Sequence, residues 1–224
     1  MVNQIDKNTV ASTNQLEKNR CVSFINEKGT GVRILFVGNS ITRHGKKPEI
    51  GWYHDFGMAA SCAEKDYVHR VVSALSKKND VAACIAQVSA WEGHYKEGAA
   101  QLEKFEKARN FGADIIVQRC VENCDHKNLD KEIFEREYKR LIDYFNLNKK
   151  AHIILTTSFW KHPADEVIRA VAEKENYDLA ELSDLGEDDS MKALGLFEHE
   201  GVASHPGDLG MQKIAERILA YIDR

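Results

Sequence analysis

The stretch Arg33-Ile34-Leu35-Phe36-Val37-Gly38-Asn39-Ser40-Ile41-Thr42 decides the fold. Ile34, Leu35, Phe36 and Val37 form an apolar run without polar alternation, the pattern of a strand covered on both faces. The run breaks at Gly38 into a small-residue turn that carries one hydroxyl. A strand ending there delivers Ser40 to the carboxyl edge of a sheet, where open α/β proteins place their ligand crevices. Ser40 is therefore the candidate nucleophile; a serine merely capping the following turn is the plain alternative.

Outward from this stretch, strand patterns alternate with helix patterns. Tyr67, Val68, Val71, Val72 and Leu75 recur at helical spacing, with Ser61 and Glu64 placed for an upstream capping box. Val81 to Val88 reads as a second buried strand, and Leu102, Phe105 and Phe111 mark a helix stopping near Gly112. Residues 113–118 and 152–157 read as further strands, Phe134 to Phe145 as a helix, and Pro163 opens another. A last strand is expected around Tyr177 to Leu182 and a terminal helix on the stripe Met211, Ile214, Ala215, Ile218 and Leu219. This alternation predicts α/β architecture: a three-layer, doubly wound sheet of five parallel strands in flavodoxin-like order. Residues 1–30 read as a polar N-terminal arm plus an extra strand at residues 21–25, and residues 31–224 as one domain.

Composition fits one well-cored domain, at 224 residues, 43% hydrophobic and 29% charged. A net charge of −4 with interspersed signs offers no field for nucleic acid. No apolar run approaches the roughly 18 residues of a membrane span. Residues 1–20 lack the apolar core of a secretory signal, so cytoplasmic residence is the expectation unless a leader has been removed. Five cysteines without a Cys-x-x-Cys pair read as reduced, mostly buried thiols. None of the nine histidines falls in a recognisable ligand spacing, so no metal site and no cofactor are expected.

Three polar groups of complementary chemistry stand just past predicted strand ends or in the last loop: Ser40, Asn123 and His205. Acyl transfer needs a nucleophile, a base and donors for a developing oxyanion, and these residue types fill those roles. Thr42 occupies the second glycine position of a Gly-x-Ser-x-Gly elbow, which argues against an α/β-hydrolase. The turn Gly38-Asn39-Ser40 instead resembles the Gly-Asp-Ser block of the SGNH (GDSL-like) hydrolases. His205-Pro206-Gly207-Asp208-Leu209-Gly210-Met211, running into the terminal helix, resembles that family's last block. The resemblance implies that Ser40 is the nucleophile, His205 the base and Asn123 an oxyanion donor.

The departures from that pattern are specific. Val202 stands where many of these enzymes place an aspartate, three residues before the histidine. Either a backbone carbonyl orients His205 in a Ser-His dyad, or a carboxylate arrives from elsewhere, Glu198 and Glu200 being nearest in sequence. The third block keeps Asn123 without its usual neighbours. The second block places Ala90 where the family has a backbone-donating glycine, with Gly93 close by. Arg119, Glu122 and Glu92 flank these positions, and an Arg–carboxylate pair there either holds the Asn123 loop or binds a polar substrate.

The expected function is a serine esterase for a small ester, and the family resemblance points to an acetylated sugar. The aromatic and polar loop over residues 43–57 suits that substrate. A lipid or thioester hydrolase, a catalytically silent carbohydrate-binding or scaffolding protein, and a metal-dependent hydrolase are the rivals. A homo-oligomer is compatible with the sequence, which leaves the assembly state open.

Overall fold

In the computed structural model, which describes residues 21–222, strand β2, Val32–Gly38, begins one residue before the quoted stretch and ends within it. The other strands are β1 Val22–Ile25, β3 Val81–Gln87, β4 Ile115–Arg119, β5 His152–Thr156 and β6 Asp178–Ala180. They lie in the order β1-β3-β2-β4-β5-β6. Strands β2 to β6 pair in parallel, so counted among themselves they follow the flavodoxin-like sequence. The sheet has six strands where the parallel pattern predicts five, because the short strand read at residues 21–25 joins it. β1 pairs antiparallel with β3, Val22 opposite Ala86 and Ile25 opposite Ala83, and so covers what would be an open edge. The polar arm expected over residues 1–20 falls outside the described residues.

Both faces of the sheet are covered, which is why its strands lack alternation. Ile34 and Phe36 pack with helix α1, Tyr67–Leu75, and helix α7, Asp208–Ile222. Leu35 and Val37 face the opposite layer, built by helices α2 Ser89–His94, α3 Glu106–Arg109, α4 Lys131–Phe145 and α5 Ala164–Glu175. A short helix α6, Glu200–Ala203, interrupts the long last loop.

Local signals decided some helix ends differently. α1 is capped by Asp66, whose carboxylate accepts from the His69 N–H, and not by the expected Ser61/Glu64 box. Ser61 instead donates through its N–H and hydroxyl to Asp208, each at 2.8 Å, tying this loop to the start of α7. The helix expected over 102–111 is a 3₁₀ turn, Glu103–Phe105, running into the four-residue α3, and a separate 3₁₀ segment before it, Tyr95–Gln101, is kinked at Gly98 with φ of 63°. Its apolar anchors Leu102, Phe105 and Phe111 are nevertheless buried.

The register puts Gly38, Gln87 and Arg119 level at the carboxyl ends of three adjacent strands. Everything immediately beyond them is forced into one hollow above the sheet. Gly38 must be glycine: a Cβ there would lie 1.8 Å from Thr42 Oγ1 and 2.8 Å from the Arg119 carbonyl oxygen. Gly38→Ala is therefore expected to destabilise the protein by about 2–3 kcal/mol through overpacking, read as a lower urea midpoint by circular dichroism.

Candidate active site

Ser40 leaves the end of β2 in a tight turn in which Thr42 and Arg43 N–H groups both donate to the Asn39 carbonyl. Its hydroxyl lies 2.8 Å from His205 Nε2. On the other side of the ring, His205 Nδ1 lies 2.6 Å from the Gly201 carbonyl oxygen on α6. A carbonyl can only accept, so Nδ1 carries the proton and Nε2 presents its lone pair to the Ser40 O–H. Of the two orientations open from sequence, the structure contains the backbone one. Neither Glu198 nor Glu200 hydrogen-bonds the ring, and Val202 is fully buried with Trp52, Met58, Ala59 and Ala193. The position that a family aspartate would occupy is thus spent on packing α6 against the 43–57 loop.

Burial pushes the His205 imidazole down to about 4, the Gly201 carbonyl and the charge of Glu122 opposing that shift only in part. The ring is neutral, and so able to take a proton, throughout the neutral range. Trp160 stands edge-on to it with ring centroids 5.3 Å apart.

Beneath Ser40 lies a buried polar network. Arg119, with no exposed surface, donates through Nη1 to Glu122 Oε1 at 2.6 Å and through Nη2 to Glu122 Oε2 at 3.0 Å. Its Nη2 also reaches Asn39 Oδ1 at 2.5 Å. The Asn39 amide nitrogen then donates to Glu122 Oε2 at 2.5 Å and to Glu92 Oε1 at 2.8 Å. Glu92 Oε2 accepts from Asn123 Nδ2. The Phe159 N–H completes the satisfaction of Glu122. The guanidinium holds the Glu122 carboxyl below its ordinary value against the pull of burial, whereas burial and the neighbouring Glu122 charge push Glu92 up to about 7.

The sequence-predicted residues therefore fall into three groups. Ser40 and His205 are in direct contact. Asn123 joins them through Glu92 and Asn39, with its carboxamide exposed at the rim. Arg119 and Glu92 are fully buried and the Glu122 side chain nearly so; together they form the floor of the hollow. The backbone donors need correction. Ala90 sits in the first turn of α2, where N–H groups lack intrahelical partners, but Gly93 lies beyond the point where the ladder has begun with Glu92 N–H to Val88 O.

Sequence reading assigned no role to Asn39 or Trp160. The signal for Asn39 was present: an amide where the family carries a carboxylate, in a chain that brings two more carboxylates and one arginine to neighbouring strand ends. An aspartate there would face both Glu92 and Glu122 with one guanidinium to balance three charges. Asn39→Asp is expected to cost about 2–4 kcal/mol near pH 8 and less near pH 5, because folding then favours the protonated carboxyls; urea titrations at both pH values measure it.

The loop over 43–57 rises beside this floor, stapled by Trp52, whose indole N–H donates to the His44 carbonyl. A cleft of about 760 Å³ is lined by Arg43, His44, Lys46, Lys47, Asp55 and Gln87, among others. A second, of about 630 Å³, lies between Ile50, Gly51 and Tyr53 on one side and Leu196, Phe197 and His199 on the other. His44 is close enough to His205 for its charge to oppose protonation of that ring. Among the described residues, no group of three or more His, Cys, Asp or Glu side chains is placed to hold a metal ion.

Compared by sequence, the chain matches no protein-family model and no curated protein. Compared by structure, it is similar to an active site mutant of a family two carbohydrate esterase from Clostridium thermocellum, with a TM-score of 0.56 at 16% identity over 85% of this chain and 63% of that one. A two-domain esterase active on acetylated mannans, co-crystallized with mannopentaose, gives 0.52 at 16% identity over 86% and 49%. A member of the lipolytic protein G-D-S-L family from Veillonella parvula gives 0.51 at 15% identity over 86% and 99%. The fold is that of the SGNH hydrolases. This chain spans less than two thirds of the two carbohydrate esterases and nearly all of the G-D-S-L protein. Within the described residues of this SGNH-like fold, no helix is long and apolar enough to cross a membrane.

Proposed function

We propose that the protein is a serine ester hydrolase acting on small acyl esters, with acetyl esters of carbohydrate as the favoured substrates. The observation that carries this reading is the 2.8 Å contact between Ser40 Oγ and a His205 Nε2 whose tautomer is set by the Gly201 carbonyl.

In the proposed reaction, Ser40 Oγ attacks the ester carbonyl carbon and its proton passes to His205 Nε2. The tetrahedral oxyanion is met by backbone N–H groups and the Asn123 amide, a contribution of about 3 kcal/mol for one such donor. The intermediate collapses by breaking the bond to the alcohol oxygen, which takes the proton from His205. Water repeats the sequence on the acyl-enzyme and restores Ser40. A carbonyl acceptor supplies what matters most from the third member of a triad, the correct imidazole tautomer, although it brings no full negative charge to the imidazolium.

The sugar-ester preference is supported by the linings of the two clefts along the 43–57 loop. One is dominated by charged and hydrogen-bonding side chains, and the other presents the Tyr53 ring, 61% exposed, as a flat face for a pyranose. Two of the structural neighbours are carbohydrate esterases, in agreement with this choice.

A fluorophosphonate probe is expected to label Ser40, with adduct mass located on the peptide containing that residue. Labelling is to disappear in Ser40→Ala, and its rate is to fall as pH drops through about 4, where His205 takes up a proton. A protein labelled equally in the Ser40→Ala form would overturn the assignment. In a chain-length series of aryl esters, kcat/KM is expected to be highest for acetyl; a rise toward long acyl chains would identify a lipid or thioester hydrolase instead.

A further inference from the structure

Glu92 is a fully buried carboxylate with no part in the proton transfer, yet each of its oxygens holds a different carboxamide. Oε1 accepts from Asn39, the residue preceding Ser40, at 2.8 Å. Oε2 accepts from Asn123, which stands at the rim of the same hollow. The carboxylate itself sits on α2, whose first turn follows directly from the end of β3. One side chain therefore connects the turn bearing the hydroxyl to the loop bearing the amide.

We propose that Glu92 is a positioning residue that sets the oxyanion donor: as a carboxylate it anchors one N–H of Asn123 and so directs the other into the hollow, and on protonation it lets that amide go. This rests on the esterase reading, because only there does Asn123 act on a developing oxyanion.

The asymmetry follows from donor and acceptor counting. An ionised carboxylate accepts from both amides at once. A neutral carboxyl carries one O–H, and that donor cannot face an amide NH₂, so one of the two contacts must turn. Asn39 is held from the far side, its Oδ1 by Arg119 Nη2 and its nitrogen by Glu122 as well. Asn123 is exposed and has no such clamp on the face away from Glu92, so Asn123 is the amide that turns.

The groups facing Glu92 set where this happens. Glu122 repels the ionised form and Arg119 favours it. The thiols of Cys120 and Cys124 also face it, and burial pushes both upward so that they stay neutral. With burial as the largest influence, the Glu92 carboxyl is raised to about 7, and both states are populated near neutrality. The sign is definite: the donor is set above that value and released below it.

The test follows kcat and KM for an acetyl ester between about pH 3.5 and pH 9 in the wild type, Glu92→Gln and Asn123→Ala. Wild-type kcat is expected to fall about a hundredfold as pH drops through about 7 with KM unchanged, since the interaction is made in the transition state. Glu92→Gln, an amide that cannot ionise, is expected to stay on the low plateau without that limb. Asn123→Ala is expected to lose the limb as well, because nothing remains for Glu92 to position. Both variants keep the separate decline near pH 4 that belongs to His205. The side-chain amide signals of Asn123, followed by ¹⁵N–¹H spectroscopy, should titrate near neutrality in the wild type and not in Glu92→Gln, a readout independent of turnover. A flat wild-type kcat and an Asn123 amide that does not titrate would overturn the proposal while Ser40 still labels with fluorophosphonate. Absence of labelling would overturn the esterase reading, and the amide titration would then decide the Glu92–Asn123 coupling alone. A neutral limb or an amide titration that persists in Glu92→Gln overturns it too.

Discussion

The structure depends on one buried cation. The Arg119 guanidinium ends the strand that lies level with Gly38, and it carries no exposed surface. Removing such an ion from water costs several kcal/mol, a cost offset only where its donors meet well-placed acceptors. Glu122 takes two of those contacts and Asn39 a third. Through them the end of β4, the turn after β2 and the loop carrying Asn123 become a single hydrogen-bonded floor. The hydroxyl of Ser40 is held above that floor by the residue beside it, so its position is set by charge pairing below as much as by the helix and loop around it.

Asn39 is the arrangement's consequence in covalent form. A carboxamide offers an acceptor to Arg119 and donors to both Glu92 and Glu122, which no carboxylate could do. The amide at 39 and the carboxylate on α2 therefore fit one another. The same reasoning fixes which way the Asn39 and Asn123 amides point: nitrogen faces carboxylate wherever a carboxylate is the partner.

His205 is held by opposite means. Where many SGNH enzymes would bring a negative charge to the imidazole, this chain brings a carbonyl dipole from α6 and buries Val202 against Trp52 and Met58. Without a full counter-charge, desolvation dominates and His205 is held neutral well below pH 7. Packing of the last loop against the 43–57 loop thereby takes the place of an electrostatic partner, and the geometry of Ser40 and His205 becomes a property of an apolar contact some residues away.

Much of this was legible in the amino-acid order. The unbroken apolar runs marked strands covered on both faces, the glycine at 38 marked where the central one had to turn, and His205-Pro206-Gly207 marked the start of the last helix, because these are local consequences of sterics and burial. Other features were set by partners distant along the chain. The capping of α1 by Asp66, the use of Ser61 by Asp208 and the joining of β1 to the sheet edge each follow from which neighbour the fold brings close to satisfy a donor or an edge. What the order of residues determined by itself was the alternating α/β fold and the serine and histidine brought near its carboxyl edge. What only the tertiary structure decided was the electrostatics: a buried charge takes its value from everything around it, and Glu92, Glu122, Arg119 and Asn39 come from three separate strand ends that meet only when the sheet has formed.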